Sequence, residues 1–266
     1  MGDILFSTIE TFHASLPWGR LLDAGTGIHS LKWIQTLNTD AYTAITADSQ
    51  MCRNILADET IKPLRSTDSL IVGNWMDENF CRTLGKYDTI LADYLIGAVD
   101  GFSPYEQDVI IEKLKQHLSP NGRLYIIGMN PIPDEAPIPA NVVVEVRRVR
   151  DACILLAGHR PYREFPLSWM TRHLSKAKFK TLKTKKFTIL HSEESILRQI
   201  RVGYSKLALM PKTSIRHGME QYLLELTESV KQAVNSTKDK KIPLSFDYII
   251  AAIHEECELP PPNPPL

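Results

Sequence analysis

Between residues 20 and 128 short apolar runs alternate with stretches of helical periodicity, and that alternation restricts the chain to few architectures. The runs predict strands near 20–24, 42–47, 69–73, 87–93 and 122–128. Helices near 28–38, 49–57, 77–85 and 104–118 separate them, the last opened by Ser103-Pro104 and closed by Ser119-Pro120-Asn121-Gly122. Such an order builds a parallel sheet with helices on both faces, an α/β doubly wound fold. The proline-rich stretch Asn130 to Pro139 breaks the pattern. Beyond it the periodicity predicts helices at 142–158, 166–177, 193–208 and 215–236, with strands near 179–190 and 245–253. The valines at 142–144 leave the first of these helices ambiguous with a strand. The segment Leu259 to Leu266 holds too many prolines to continue an element and reads as an extended tail.

The first strand runs into the turn Asp23-Ala24-Gly25-Thr26-Gly27, after which Ile28, Leu31, Trp33 and Ile34 recur near helical spacing. Gly25 and Gly27 remove side chains where a nucleotide-like ligand would lie against the backbone. A dinucleotide turn asks for a third small residue, a place taken here by Ser30, and seats a pyrophosphate on the helix N-terminus. Asp23, two residues before the first glycine, disfavours a pyrophosphate and suits a ligand with an ammonium or hydroxyls. That points to S-adenosylmethionine.

Further candidates fall at the carboxyl ends of the predicted strands, where open α/β sheets bind ligands. Asp48 ends the second strand and can accept both ribose hydroxyls; its alternative role is to cap the helix that starts at Ser49. After the third strand Asn74 offers a partner to an adenine amino group, with Trp75 or Met51 packed on the ring; Trp75 reads equally as a core residue. Asp93 and Tyr94 end the fourth strand, where an acceptor would meet the cofactor. Their other reading is a helix-capping aspartate and a packed tyrosine.

The Asp23-x-Gly25-x-Gly27 turn, Asp48, Gly73-Asn74-Trp75, Asp93-Tyr94 and the approach Leu118 to Leu124 resemble the ordered motifs of class I S-adenosylmethionine-dependent methyltransferases over 15–128. The resemblance implies a seven-stranded, mostly parallel sheet of order 3-2-1-4-5-7-6, its last strand antiparallel. It implies that Asp23, Gly25, Thr26 and Gly27 lie beside the methionine part of the cofactor, that Asp48 binds the ribose, and that Met51, Asn74 and Trp75 flank the adenine. The family commonly has Asp where this chain has Asn74. On this reading 1–266 is a single domain with a cofactor half at 15–130 and a substrate-side half at 140–256. The latter carries a helical insertion at 192–240 that serves as a lid or a dimerisation element, and a tail follows at 258–266.

Methyl transfer asks the protein to hold a nucleophile in line, dry and deprotonated. Asp93 can orient an acceptor hydroxyl or ammonium and Tyr94 can wall the methyl path. The run Gly158 to Pro166 contains His159 as a candidate base and Arg160, Tyr162 and Arg163 as a clamp for a carboxylate or phosphate. Its plain reading is a solvated turn with Arg163 beside Glu164.

Composition narrows the classes. Lysine plus arginine equals aspartate plus glutamate at 31 each, so no overall field draws the chain to nucleic acid or membrane. No apolar run reaches the roughly 20 residues of a membrane span. The start lacks a signal-peptide pattern, and Phe6 stands where a myristoylation motif wants Ser or Thr. Cys52, Cys81, Cys153 and Cys257 lack metal-site or disulfide spacing, which argues for no metal and a reducing, cytoplasmic setting. A lysine-rich stretch from Arg172 to Lys186 alternates as a blunted edge strand does and lacks interleaved aromatics, which disfavours nucleic acid.

The leading expectation is a methyltransferase acting on O or N of a small molecule, anionic if the arginine pair clamps it, with S-adenosylhomocysteine as product. A homo-oligomer is compatible with this. The alternatives are a protein or RNA methyltransferase and a non-catalytic module on the same fold. A nicotinamide dehydrogenase is disfavoured by Asp23 and Ser30.

Overall fold

The structure is a computed structural model and describes residues 3–256, so Gly2, Cys257 and the proline-rich tail at 258–266 lie outside the described residues. Its elements run α1 (Ile4–His13), β1 (Arg20–Asp23), α2 (Ile28–Ile34), β2 (Ala41–Thr46), α3 (Ser49–Ala57), β3 (Ser69–Val72), α4 (Glu78–Thr83), β4 (Tyr87–Asp93), α5 (Leu95–Phe102), α6 (Gln107–His117) and β5 (Leu118–Met129). The second half continues with α7 (Asn141–Leu156), α8 (Leu167–Lys176), β6 (Phe179–Ser192), α9 (Glu193–Leu207), α10 (Thr213–Asn235) and β7 (Lys241–His254). The seven strands form one sheet in the order β3-β2-β1-β4-β5-β7-β6, as the motifs implied. β1 pairs in parallel with both β2 and β4, β2 with β3, and β4 with β5. The sheet centre is dry because its strands are apolar on both faces: Leu21, Leu22, Ala44, Ile90 and Leu124 are wholly buried. Each large one stabilises the fold by about 1.5–3 kcal/mol relative to exposure.

Two helices escaped the sequence reading. α1 was not foreseen, although Asp3 caps it by accepting from the Leu5 amide at 2.7 Å, and Phe6, Ile9 and His13 bury one face. It lies along α2: Phe6 stacks on Trp33 at 4.5 Å between centroids, the Trp33 indole N–H donates to Glu10 at 2.8 Å, and Asp3 pairs with His29 at 2.9 Å. At its end His13 stacks on Trp18 at 3.6 Å with Nδ1 2.9 Å from the Tyr125 hydroxyl, and burial lowers the imidazole pKa to about 4. The helix expected at 104–118 is α6, and a second, unexpected helix, α5, precedes it. Ser103 closes α5 rather than opening a helix, and α6 starts at Gln107. Gly97 and Gly101 masked α5, which persists because Leu95, Ile96 and Val99 are buried. The ambiguous valines at 142–144 belong to a helix.

The chain divides into two compact units. Unit 1 comprises the described residues to Gly128, Phe165–Lys185 and the chain from Tyr248; unit 2 comprises Met129–Glu164 and Lys186–Asp247. Within unit 2, α7, α9 and α10 pack around Val146, Cys153, Ile200, Leu223 and Val230. Among the described residues no helix is long and apolar enough to cross a membrane.

Candidate functional site

In unit 1 the ends of β1 and β2, the turn after β3 and the end of β4 bring Asp23, Asp48, Asn74 and Asp93 to the carboxyl edge of the sheet. The glycine turn is the most constrained part. Asp23 is wholly buried, and its Oδ2 accepts from the Ser30 hydroxyl at 2.7 Å. The same Ser30 oxygen accepts the Gly27 N–H at 3.1 Å, and the Thr26 N–H donates to the Ile45 carbonyl at 2.7 Å. The Thr26 and Gly27 amides of the turn are therefore engaged within the protein. Asp23 Oδ1 is buried and has no hydrogen-bond partner. Burial pushes this carboxyl up to about 6 against the pull of Ser30, Thr26 and the Gly25 amide, so at pH 7 it is a buried anion in want of a cation.

The two glycines do different work. A Cβ on Gly25 would stand 2.9 Å from Leu95 Cδ1, so Gly25 lets the turn close onto α5. A Cβ on Gly27 would meet no atom within 4 Å, which leaves open space beside the turn. Trp75 is buried, and its indole N–H donates to the Ala24 carbonyl at 2.7 Å, bracing the turn from the β3 side. Asp48 is exposed and caps α3 through the Gln50 amide at 2.8 Å. That contact uses Oδ1, so capping and ribose binding are compatible. Met51 is half-buried in the first turn of α3. Asn74 is exposed, with its side-chain oxygen accepting the Met76 amide at 2.9 Å. Tyr94 holds a left-handed backbone, φ 48° and ψ 18°, as its amide donates to the Ile127 carbonyl at 3.0 Å. A tyrosine there is strained, and such strain collects at functional sites.

No family model and no curated protein sequence matches the chain. The fold has solved counterparts. A Bacillus halodurans protein provisionally assigned as a methyltransferase is 13% identical over 94% of this chain and 98% of its own, with a TM-score of 0.59. A cyclopropane synthase from Mycobacterium tuberculosis is 15% identical over 92% and 83%, with a TM-score of 0.53. Haemonchus contortus phosphoethanolamine N-methyltransferase 2, solved with phosphomonomethylethanolamine and S-adenosylhomocysteine, is 13% identical over 94% of this chain and 52% of that one, at 0.52. The chain has the class I methyltransferase fold.

A methyltransferase fold asks of its glycine turn a neighbour for an ammonium and room for the amino acid portion of the cofactor. Asp23 Oδ1 and the space at Gly27 fit both. The substrate-side candidates His159, Arg160, Tyr162 and Arg163 lie in unit 2, on the exposed segment after α7 apart from the buried Pro161. His159 Nδ1 stands 3.2 Å from Lys206 Nζ. An ammonium only donates, so Nδ1 is the acceptor and the ring proton sits on Nε2. His159 thus presents its Nε2 donor on the exposed segment.

In the sequence Glu164 stands out only as a neighbour of Arg163. The structure places it under the field of Asp247, with Arg150 and the Met129 amide opposing, and burial with Asp247 pushes its carboxyl up to about 7. The signal is invisible in sequence because Asp247 and Arg150 are remote along the chain. Unit 2 also holds a groove of about 670 Å³ lined by α7, α10 and Asp134–Ala136, which includes none of the predicted site residues. Among the described residues no three His, Cys, Asp or Glu side chains converge as a metal-ligand set.

Proposed function

We propose that the chain is an S-adenosylmethionine-dependent methyltransferase that acts on nitrogen or oxygen of a small molecule. The observation that carries this reading is the buried Asp23 carboxylate, with one oxygen unpaired, in a glycine turn whose amides are already hydrogen-bonded. That arrangement repels a pyrophosphate and receives an ammonium. When bound, the cofactor supplies a sulfonium-activated methyl group. The chain's residues do the rest.

Asp23 receives the amino acid ammonium while Thr26 and Gly27 line its path. Asp48 accepts the ribose hydroxyls, two charge-assisted hydrogen bonds that anchor the sugar. Met51 and Asn74 flank the base, and Trp75 fixes the turn they face. Asp93 orients the acceptor and Tyr94 walls its approach. Within unit 2, His159 offers a donor through Nε2, and Arg160, Tyr162 and Arg163 offer groups for an anionic molecule.

The test is calorimetric titration of the purified protein with S-adenosylmethionine, S-adenosylhomocysteine and NADH. The proposal expects micromolar binding of both sulfur ligands; micromolar NADH binding without response to either would sink it. Incubation of labelled S-adenosylmethionine with cell extract split into small molecules, protein and RNA then identifies the acceptor class, which we expect to be the small molecules.

A further inference from the structure

The net charge of zero conceals a strong asymmetry. From Phe165 to Ser192 the chain has no aspartate or glutamate and seven cations: Arg172, Lys176, Lys178, Lys180, Lys183, Lys185 and Lys186. The remaining residues, with 24 cations and 31 acids, carry the opposite excess. All seven cations are exposed. Arg172 and Lys176 lie on α8, Lys178 just before β6 and the other four on β6, which terminates the sheet order, so among the described residues one of its edges faces no other strand. The stretch to Lys185 belongs wholly to unit 1.

Lysines on an edge usually serve to forbid pairing with another strand. Their placement here is more selective than that. Successive residues of a strand point to opposite faces, so Lys180 stands on one face while Lys183 and Lys185 stand on the other. Lys183 lies 5.4 Å over the Phe12 ring, a contact that holds its stem without neutralising its charge. Lys178 reaches the carboxylate of Glu255 at 3.9 Å, an exposed pair worth little. A flat polyanion such as a duplex or a membrane would be served by lysines on one face. Cations on both faces of an open edge match a ligand that runs along the edge and alternates its own charges to both sides. That is an extended peptide, whose backbone also satisfies the edge amides and carbonyls. Like-charged strands, including a second copy of β6, are repelled by the same lysines.

We propose that the open edge of β6 is a docking site for an acidic, extended peptide segment of a partner protein, added as an eighth strand. It is independent of the methyl-transfer reading.

The test uses a fluorescein-labelled decapeptide of repeated Glu-Glu-Val-Val, which puts Glu on both faces of an extended strand, the same peptide N-methylated at every second residue, and single-stranded dT10, followed by anisotropy at 50 mM salt. The plain peptide should bind in the micromolar range and weaken several-fold at 200 mM salt. The double variant Lys180→Glu, Lys183→Glu should weaken it at least tenfold with unchanged circular dichroism and thermal unfolding. N-methylation on the paired edge should also cost at least tenfold, since it removes the backbone hydrogen bonds. Equal binding of the plain and methylated peptides, or binding of dT10 as tight as that of the peptide, would reduce the patch to simple charge attraction and overturn the proposal. So would an absence of peptide binding at 100 μM.

Discussion

Asp23→Asn tests the electrostatics of the glycine turn in both the free and the bound protein. The ordinary carboxyl pKa is 3.8 and burial raises that of Asp23 to about 6. Between these values the folded state holds a proton that the unfolded state has lost, so stability falls as pH rises through the window. Below pH 3.8 the group costs nothing; above pH 6 it costs about 3 kcal/mol, the difference in pKa multiplied by 1.36 kcal/mol. From pH 5.0 to 7.5 the two-state expression gives a loss of roughly 1.4 kcal/mol from this residue. Urea unfolding followed by tryptophan fluorescence reports on it directly, because Trp18, Trp33, Trp75 and Trp169 all belong to unit 1 with Asp23. His13, lowered to about 4, acts with the opposite sign below pH 6.5, so the informative quantity is wild type minus Asn variant. That difference should change by roughly 1.4 kcal/mol between the two pH values. An ammonium beside Oδ1 reverses the penalty, since ligand then binds the ionised form. S-adenosylmethionine affinity of the wild type should be about tenfold weaker at pH 5.0 than at 7.5 and flat above it. Parallel unfolding curves and a pH-independent affinity in the wild type would refute the assignment of a strained buried anion that awaits a cation.

Three further outcomes separate cofactor contacts from scaffold. Asp48→Ala should lose about 1 kcal/mol of stability with its helix cap and about 2–4 kcal/mol of cofactor affinity. Asp48→Asn keeps the cap, so chemical denaturation should match wild type while calorimetry still shows the weaker binding. Gly27→Ala should unfold like wild type, since its Cβ enters open space, yet lose cofactor affinity at least tenfold; Gly25→Ala, pressed against Leu95, should cost about 1–3 kcal/mol of stability, and Leu95→Ala beside it should relieve that strain. Glu164, raised from 4.5 to about 7, keeps a proton in the folded state that the unfolded chain has lost, so stability should fall as pH rises through that window and Glu164→Gln should remove this fall, read by urea unfolding at pH 5.0 and 7.5.

What could be read from the sequence divides along a physical line. Strands β1 to β5 and the glycine turn were legible because apolar period and turn chemistry are local, and the order of motifs carried the sheet order with it. α5 was not, because Gly97 and Gly101 argue locally against a helix that burial of Leu95, Ile96 and Val99 imposes. α1 was overlooked for the opposite reason: Asp3 before a run buried at Phe6, Ile9 and His13 is a sufficient local signal. At the site, Asp23 and Ser30 both stand out in the sequence, one as an unwelcome charge for a phosphate and the other as an imperfect third glycine. Their hydrogen bond makes them one device. Ser30 takes the Gly27 amide away from any incoming phosphate and uses its own proton to hold Asp23, so the two departures from a dinucleotide turn depend on each other. Replacing Ser30 with Gly or Ala should free the Gly27 amide and remove the hydroxyl that favours the ionised carboxylate. The carboxyl pKa should climb beyond about 6 and cofactor affinity at pH 7 should fall, with stability at pH 5 less affected than at pH 7.5. An unshifted pH dependence in Ser30→Ala would mean that the carboxylate draws its support from the Gly25 amide and Thr26 alone.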